Sequence, residues 1–469
     1  MAFPLHLDPD RLFPVDPATR DIARELYKSV ADLPIISPHG HVDPQMVLDN
    51  QYFSDPAELF LTYDHYVFRL LNAAGVDLHD LGVGKAAPVD PRQAWRIFCR
   101  HWPLFDGTAS GYWLTHEFVT LFGITEEPCE DNADALFDLI NSRIHQDDFL
   151  PQRLLERFDI EVLATTDDPL DSLQAHHALA QVDGIHTRII PTWRPDAYSN
   201  ARKPQFVQAA AAMAASAGGE ADDFAAFMRG LRASRERFIA AGAVSTDHGV
   251  SQPLAVELTD EEAGALYRRA VADGLQGADA DAFEGAMLMR FAQMAVEDGL
   301  VMTVHPGVYR NHCSQAFADF GADTGHDIPV STEYTRKMQP LLDKFGQEKD
   351  FHLVLFTIDE TVYSRELAPL AGFYRSVYVG APWWFIDEPD AIGRWRAAVT
   401  GTLGFSRTSG FIDDTRAYLS IPARHDMARR ADAAFLARYV REGRLSEPAA
   451  MRAIHRLTDT QPRHVFKLG

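Results

Sequence analysis

The chain is poor in cysteine, poor in positive charge and free of long apolar runs, and each shortage excludes a class of protein. Its three cysteines, Cys99, Cys129 and Cys313, form no closely spaced pair, so neither a disulfide framework nor a thiolate zinc module is expected, and a reducing, cytoplasmic setting fits. Lysine and arginine number 44 against 67 aspartates and glutamates, a formal net charge of −23. That balance repels nucleic-acid phosphates and anionic lipid, so neither nucleic acid nor membrane is an expected partner. An anionic substrate must instead be met by arginines inside a pocket. The longest small-residue run, 209–215, is far too short to span a bilayer, and the N-terminal stretch lacks the basic start and apolar segment of a secretory signal. With 46% hydrophobic and 24% charged residues, a substantial core is within reach without staples. The oligomeric state is left open, a homo-oligomer included.

The stretch that organises the rest is Ile36-Ser37-Pro38-His39-Gly40-His41-Val42-Asp43, two histidines one residue apart after a short apolar run. On an extended strand, residues i and i+2 project from one face, so both imidazoles can reach one ion while Gly40 lets the backbone come close. With 19 histidines in the chain, about one such pair arises by chance, so a metal site needs further ligands from later segments.

An N-terminal arm and helix occupy 1–33, with Asp16 as cap, Pro17 in the first turn and the helix running to about Ala31. From 45 to 158 the periodicity is helical, at 57–71, 92–102, 112–121, 133–144 and 152–158, which reads as an insertion after the first strand. Apolar, β-branched runs then recur at 161–166, 187–192, 243–246, 300–304, 352–358, 376–379 and 410–412, each ending in polar or aromatic residues before a helical interval. With the histidine strand these make eight, which predicts an α/β fold, a (β/α)8 TIM-type barrel over 34–44 and 159–420. An open doubly wound sheet is the alternative. Without the insertion the barrel has about 275 residues, close to the ~250 typical of the fold. The remainder, 421–469, reads as C-terminal helices packed on the exterior, at 432–442 and 448–457.

In such a barrel the chemistry lies where the strands terminate. Closure sets strand eight beside strand one, bringing Asp413 or Asp414 next to His39 and His41. Two imidazoles and a carboxylate with an open position form a common zinc or manganese arrangement. His305, at the end of strand five, faces them across the mouth.

Five motifs in order make a resemblance specific: Ser37-Pro38-His39-Gly40-His41, Asp64-His65-Tyr66, Pro191-Thr192-Trp193-Arg194-Pro195-Asp196, His305-Pro306-Gly307-Val308-Tyr309-Arg310-Asn311 and Asp414-Thr415-Arg416. Over nearly its whole length the chain resembles uronate isomerases, also called glucuronate isomerases, divergent members of the amidohydrolase superfamily of metal-dependent barrels. The resemblance implies interconversion of D-glucuronate with D-fructuronate, and of D-galacturonate with D-tagaturonate, on one divalent ion, zinc or else manganese. It places His39, His41 and Asp414 at the metal, and His65, Tyr66, Arg194, Asp247, His305 and Arg416 at substrate or catalytic positions; Arg310 and Trp384 match further motif positions.

An aldose–ketose isomerase must remove the C2 proton, stabilise an enediol and return a proton to C1. Asp414 is the first candidate for the base and Tyr66 the next group for proton transfer. Arg416 or the ion would hold the C1 and C2 oxygens, and Arg194 and Arg310, with help from His65, would hold the far carboxylate of a hexuronate. Strand four ends Ser245-Thr246-Asp247-His248 without the lysine that bridges two ions in binuclear relatives, which favours a mononuclear site. A metal-dependent hydrolase or deaminase on the same barrel is the competing function, and a catalytically silent sugar-binding protein a second.

Overall fold

The computed structural model describes residues 3–469. Its strands are short and mostly buried: β1 Ile35–Ser37, β2 Ile160–Ala164, β3 Arg188–Ile190, β4 Ser245–His248, β5 Val301–Val304, β6 Val308–Tyr309, β7 Ile328–Pro329, β8 Leu353–Leu355 and β9 Val377–Val379. Two parallel arcs form, β1-β2-β3 and β4-β5-β8-β9, while β6 and β7 make a small antiparallel pair of their own. Runs rich in Val, Ile and Leu suit strands covered on both faces. Trp193 joins the arcs: its N–H donates to the Ser245 carbonyl (3.3 Å), and its carbonyl accepts from Asp247 N (3.0 Å).

The eighth position departs from expectation. No ladder forms at 410–412; instead Val379 pairs with Thr408, through Val379 N to Arg407 O and Ser409 N to Val379 O, both 2.9 Å. Gly410 is the reason. Its φ of +78° turns the chain out of the extended region, and Pro462 sits 2.7 Å from where a Cβ would be. The seam to β1 is carried by His41 N donating to Thr415 O (3.0 Å), with no strand ladder there among the described residues. The fold is thus a (β/α)8 barrel whose last position is an irregular segment held by an isolated bridge at Thr408 instead of a ladder. β4 is also displaced from 243–246 to Ser245–His248, because Ala243 N still donates to Phe238 O (2.9 Å) at the end of the preceding helix.

The insertion after β1 is helical, but its expected helix over 57–71 is broken. A π-turn, Glu58–Thr62, ends at Tyr63, and Asp64 then caps a new helix, His65–Ala73, by accepting Tyr66 N (2.9 Å). The break puts His65 and Tyr66 in a first helical turn instead of mid-helix. The insertion packs a core of its own, with Trp95, Phe98, Trp102 and Phe118 against Ile35, Ile160 and Leu163 of the barrel.

Asp16 and Pro17 start the first helix as expected, Asp16 accepting Thr19 N (2.9 Å), although it ends at Lys28. The C-terminal region differs more. One helix, Ile421–Arg441, begins directly after the seam, and its first half is buried. Arg429 of this helix donates to the carbonyls of Ala31 (2.8 Å), Leu33 (2.8 Å) and Pro34 (3.1 Å), gripping the entry to β1. Sequence periodicity alone does not separate a helix on the exterior from one threaded into the seam. No helix among the described residues is long and apolar enough to cross a membrane.

The same helix is anchored by a buried bidentate pair, Arg396 to Asp432 at 2.6 and 2.8 Å. Asp432→Ala leaves that guanidinium buried and unpaired, so unfolding in urea should require about 3–5 kcal/mol less. Replacing both partners, Arg396→Met with Asp432→Leu, should recover most of the loss. A single variant as stable as wild type would show that the pair contributes nothing.

Candidate metal centre and active site

His39 and His41 extend from β1, and Asp414 faces them from across the seam. Asp414 Oδ1 lies 3.2 Å from His39 Nε2 and 2.9 Å from His41 Nε2. The two rings stand nearly perpendicular, centroids 5.3 Å apart at 80°. Asp414 Oδ1 is buried yet makes no aligned hydrogen bond among the described residues. Three donor atoms this close, with geometry unlike a hydrogen bond, match the ~3.3 Å edge of a tetrahedral site with bonds near 2.0–2.1 Å. The group can hold a divalent cation. Of the two acids that strand position alone left open, Asp414, the one the resemblance puts at the metal, takes this place; Asp413 Oδ2 turns away to His425 Nε2 (3.0 Å). A Cβ on Gly40 would meet its nearest neighbour at an ordinary 3.4 Å, so close approach does not demand glycine there.

A second group shares His39. The ligand atoms of His39, Asp247 and His305 lie within 4.8 Å of one another, all three residues buried. His305 Nδ1 approaches Asp247 Oδ1 to 2.8 Å. Its ring stacks between His39 (4.9 Å, 19°) and Phe356 (4.1 Å, 15°), with Trp383 edge-on at 4.8 Å. The ends of β1, β4 and β5 and the seam therefore converge as the barrel reading requires.

Burial pushes Asp414 up, but the imidazoles of His39 and His41 outweigh it and hold the carboxyl well below its usual range. Burial also raises Asp247, against which the Arg194 guanidinium and the His305 and His39 rings hold it well below. His39 is lowered by burial and raised, on balance, by Asp414 and Asp247. For His41 burial prevails over Asp414 and keeps it low.

Arg194 lies beyond β3, its Nε 3.1 Å from Asp196 and its Nη1 3.4 Å from Asp247, so it is already held between two acids. Arg310 is 44% exposed; it bonds Asp327 at 2.9 Å and lies over the Trp384 ring at 4.8 Å. Trp384 is 5.1 Å from His65, whose ring meets Tyr66 at 4.8 Å. Burial first, then Arg416, pushes His65 down to about 3, so it is a neutral imidazole at neutral pH. Arg416 is exposed and has no ion-pair partner among the described residues.

The sequence-derived residues thus form two neighbouring sets. His39, His41, Asp414, Asp247, His305 and Arg194 make one; His65, Tyr66, Trp384 and Arg310 make the other. Trp383 bridges them, 6.2 Å from Trp384 and 4.8 Å from His305. Asp196, Asp387, Arg424 and His425 were not legible as site residues. Asp196 closes one of the five motifs, beside an arginine that draws the eye first, whereas the others sit in stretches whose periodicity signals only helix or turn.

Beside His41 opens a cavity of about 470 Å³ lined by Asp43, Thr166, Asp167, Asp168, Asp171 and His176, among others. Burial pushes Asp167 up to about 7, although Thr165 Oγ1 (2.7 Å) and Thr192 N (3.3 Å) donate to it. A carboxyl raised in the folded state favours folding while protonated, and that contribution disappears as pH climbs through about 7. Asp167→Asn should therefore gain on wild type in melting temperature between pH 5 and pH 8; a difference independent of pH would contradict the shift.

A family model described as glucuronate isomerase matches residues 17–460. The uronate isomerase of Corynebacterium efficiens is 51% identical over 461 residues, covering 98% of this chain and 98% of its own. The crystal structure of glucuronate isomerase from Caulobacter crescentus superposes with a TM-score of 0.97 at 46% identity, over 99% of this chain and 98% of that one. Uronate isomerase from Thermotoga maritima gives 0.92 at 25% identity, over 98% and 99%. Kinship of that extent, over a chain whose site residues all lie inside the matched span, makes this protein a member of the glucuronate isomerase family.

Proposed function

We propose that the chain interconverts D-glucuronate and D-fructuronate, and D-galacturonate and D-tagaturonate, by moving a proton between C2 and C1 through an enediol. What carries the reading is the match to uronate isomerases over the whole chain. A cytoplasmic location fits three cysteines that form no disulfide.

His39, His41 and Asp414 would hold one divalent ion, zinc in our reading with manganese as the alternative, whose Lewis acidity favours negative charge on the sugar oxygens. Asp414 is the base proposed for the C2 proton. Flanking imidazoles make it a weak base in the free protein, so proton removal must be helped by stabilising the oxyanion as it forms. Arg416, exposed and without an ion-pair partner among the described residues, is free to meet the C1 and C2 oxygens. Tyr66 is the second proton-handling group. Asp247 keeps His305 oriented from 2.8 Å, and Asp247 in turn is charge-balanced by Arg194.

Arg194 and Arg310 are the guanidiniums proposed for the far carboxylate of the sugar. Each is fixed by protein carboxylates, which preorganises the fork and reduces the net charge it offers. His65, neutral and beside Trp384, can donate a hydrogen bond there without adding charge, and Trp384 forms an apolar wall. A hydrolase or deaminase would need a hydrolysable substrate; release of ammonia or acid, with no ketose formed from glucuronate, would replace our reading with that one.

Asp414→Asn should cut kcat for glucuronate by about 10³-fold or more while the fold persists. Metal content should be measured alongside, and near-normal turnover would remove Asp414 as the base. Arg194→Met should raise KM for uronates by about 10–100-fold, with neutral aldoses affected far less. Equal losses on both would make the arginine structural. Chelator-treated protein should lose turnover and regain it with zinc or manganese.

A further inference from the structure

Tyr66 and Asp414, the two groups to which the proposed reaction assigns proton transfer, are joined by a buried network that the reaction scheme leaves unused. Tyr66 Oη donates to the Asp387 carboxylate, at 3.0 and 3.1 Å from its two oxygens, and accepts the N–H of Phe385 (3.2 Å). Asp387 Oδ2 also accepts Arg424 Nη1 (2.8 Å). Both members of that ion pair are buried, at 7% and 3% exposure. The guanidinium lies on the Trp113 ring, 3.5 Å from its centroid, and the Tyr66 ring meets the same indole edge-on at 5.6 Å.

From the other side Arg424 reaches the backbone around Asp414. Its Nη1 lies 3.4 Å from the Asp413 carbonyl, and its Nε donates to Ser420 Oγ (3.1 Å). Ser420 Oγ is 3.4 Å from Thr415 Oγ1. Residues on both sides of Asp414 are therefore tied, directly or through one hydroxyl, to one guanidinium. Asp414 itself has φ +45°, a left-handed conformation that a non-glycine residue holds only when its surroundings impose it. The next residue along the helix repeats the restraint, since His425 Nε2 holds the Asp413 carboxylate at 3.0 Å.

A buried ion pair is weak evidence for stability, because its desolvation cost offsets its attraction. Its value here is geometric: an acceptor for one hydroxyl and a planar fork that reaches a second element. We propose that Asp387 and Arg424 are positioning residues for the isomerisation. Asp387 accepts the Tyr66 hydroxyl hydrogen and can take that proton as the phenol oxygen receives one from a substrate hydroxyl, and Arg424 fixes Asp387 while locking the left-handed turn at Asp414. This inference rests on the isomerase reading, and on Tyr66 taking part in proton transfer.

The test is a double-mutant cycle on glucuronate turnover with Tyr66→Phe and Asp387→Asn, with metal content and circular dichroism recorded for each protein. Asp387→Asn should lower kcat by about 10²-fold and leave KM within about threefold. In the Tyr66→Phe background it should cost nothing further, because its effect passes through the phenol. With C2-deuterated substrate the isotope effect on kcat should persist or grow in Asp387→Asn, placing the slowing at proton removal. Arg424→Met should lose metal as well as turnover, since it releases the turn at Asp414, whereas Asp387→Asn should keep its metal; Arg424→Lys should restore part of both.

Losses that multiply in the double variant, or an Asp387→Asn kcat close to wild type beside an impaired Tyr66→Phe, would overturn the positioning role and leave the isomerase assignment standing. Wild-type turnover by Tyr66→Phe would take Tyr66 out of the chemistry and the proposal with it. A purified wild-type protein that forms no ketose from any uronate would instead remove the isomerase reading. Should Asp387→Asn fail to fold, the contrast between Arg424→Met and Arg424→Lys in metal retention and kcat decides the question alone.

Discussion

The site exists only because the two ends of the barrel wall meet. His39 and His41 leave β1, Asp414 arrives from the far end of the chain, and the carboxylate comes within 3.2 Å of both imidazoles across a seam without a strand ladder among the described residues. A missing ladder would leave both backbones open to water, an arrangement that barrels avoid by pairing every strand. Here the Ile421–Arg441 helix supplies what the ladder would have done. Arg429 holds the carbonyls leading into β1, while Arg424 and His425 hold Asp413 on the opposite side. The helix is a strap across the join, and its own anchor is the Arg396–Asp432 pair.

The charge pattern follows from the same geometry. The chain carries −23 overall, yet the proposed substrate is an anion, so individual arginines near the strand ends must meet it. Arg194 is held between Asp196 and Asp247, and Arg310 is held by Asp327. Each of these ion pairs fixes a guanidinium at the expense of some of its charge. Arg416 differs, being exposed and without an ion-pair partner among the described residues. The proposed division of labour between orientation and charge therefore has a structural counterpart.

Much of this was legible in the sequence, and the reasons are specific. The alternation of apolar runs with helical intervals survives in single-sequence form because parallel strands buried on both faces are nearly continuous in Val, Ile and Leu. His39 and His41 stand out because strand geometry gives their spacing a meaning. Other features were hidden. Gly410 opens an apolar run that looks like a strand, since φ depends on what packs around it, here Pro462. Asp64 splits a pattern that is helical on both sides; its capping chemistry is present in the sequence but outvoted by periodicity. Asp413 and Asp414 are indistinguishable by position, and only the turn at Asp414 sends one carboxylate to the imidazoles and the other to His425. Arg424 and Asp387 give no signal, because a buried charge pair is defined by its partner and not by its neighbours in sequence.

The order of the site along the chain also bears on biogenesis. Its first proposed ligand stands at His39 and its last clamp at His425, so almost the entire polypeptide must leave the ribosome before the pieces can meet. Contacts of such sequence separation are made late in folding, after more local ones. Throughout synthesis the early imidazoles wait without the carboxylate that completes their proposed set. Acquisition of the proposed ion would thereby be deferred until the strap has docked, which would make cation uptake a report on finished assembly.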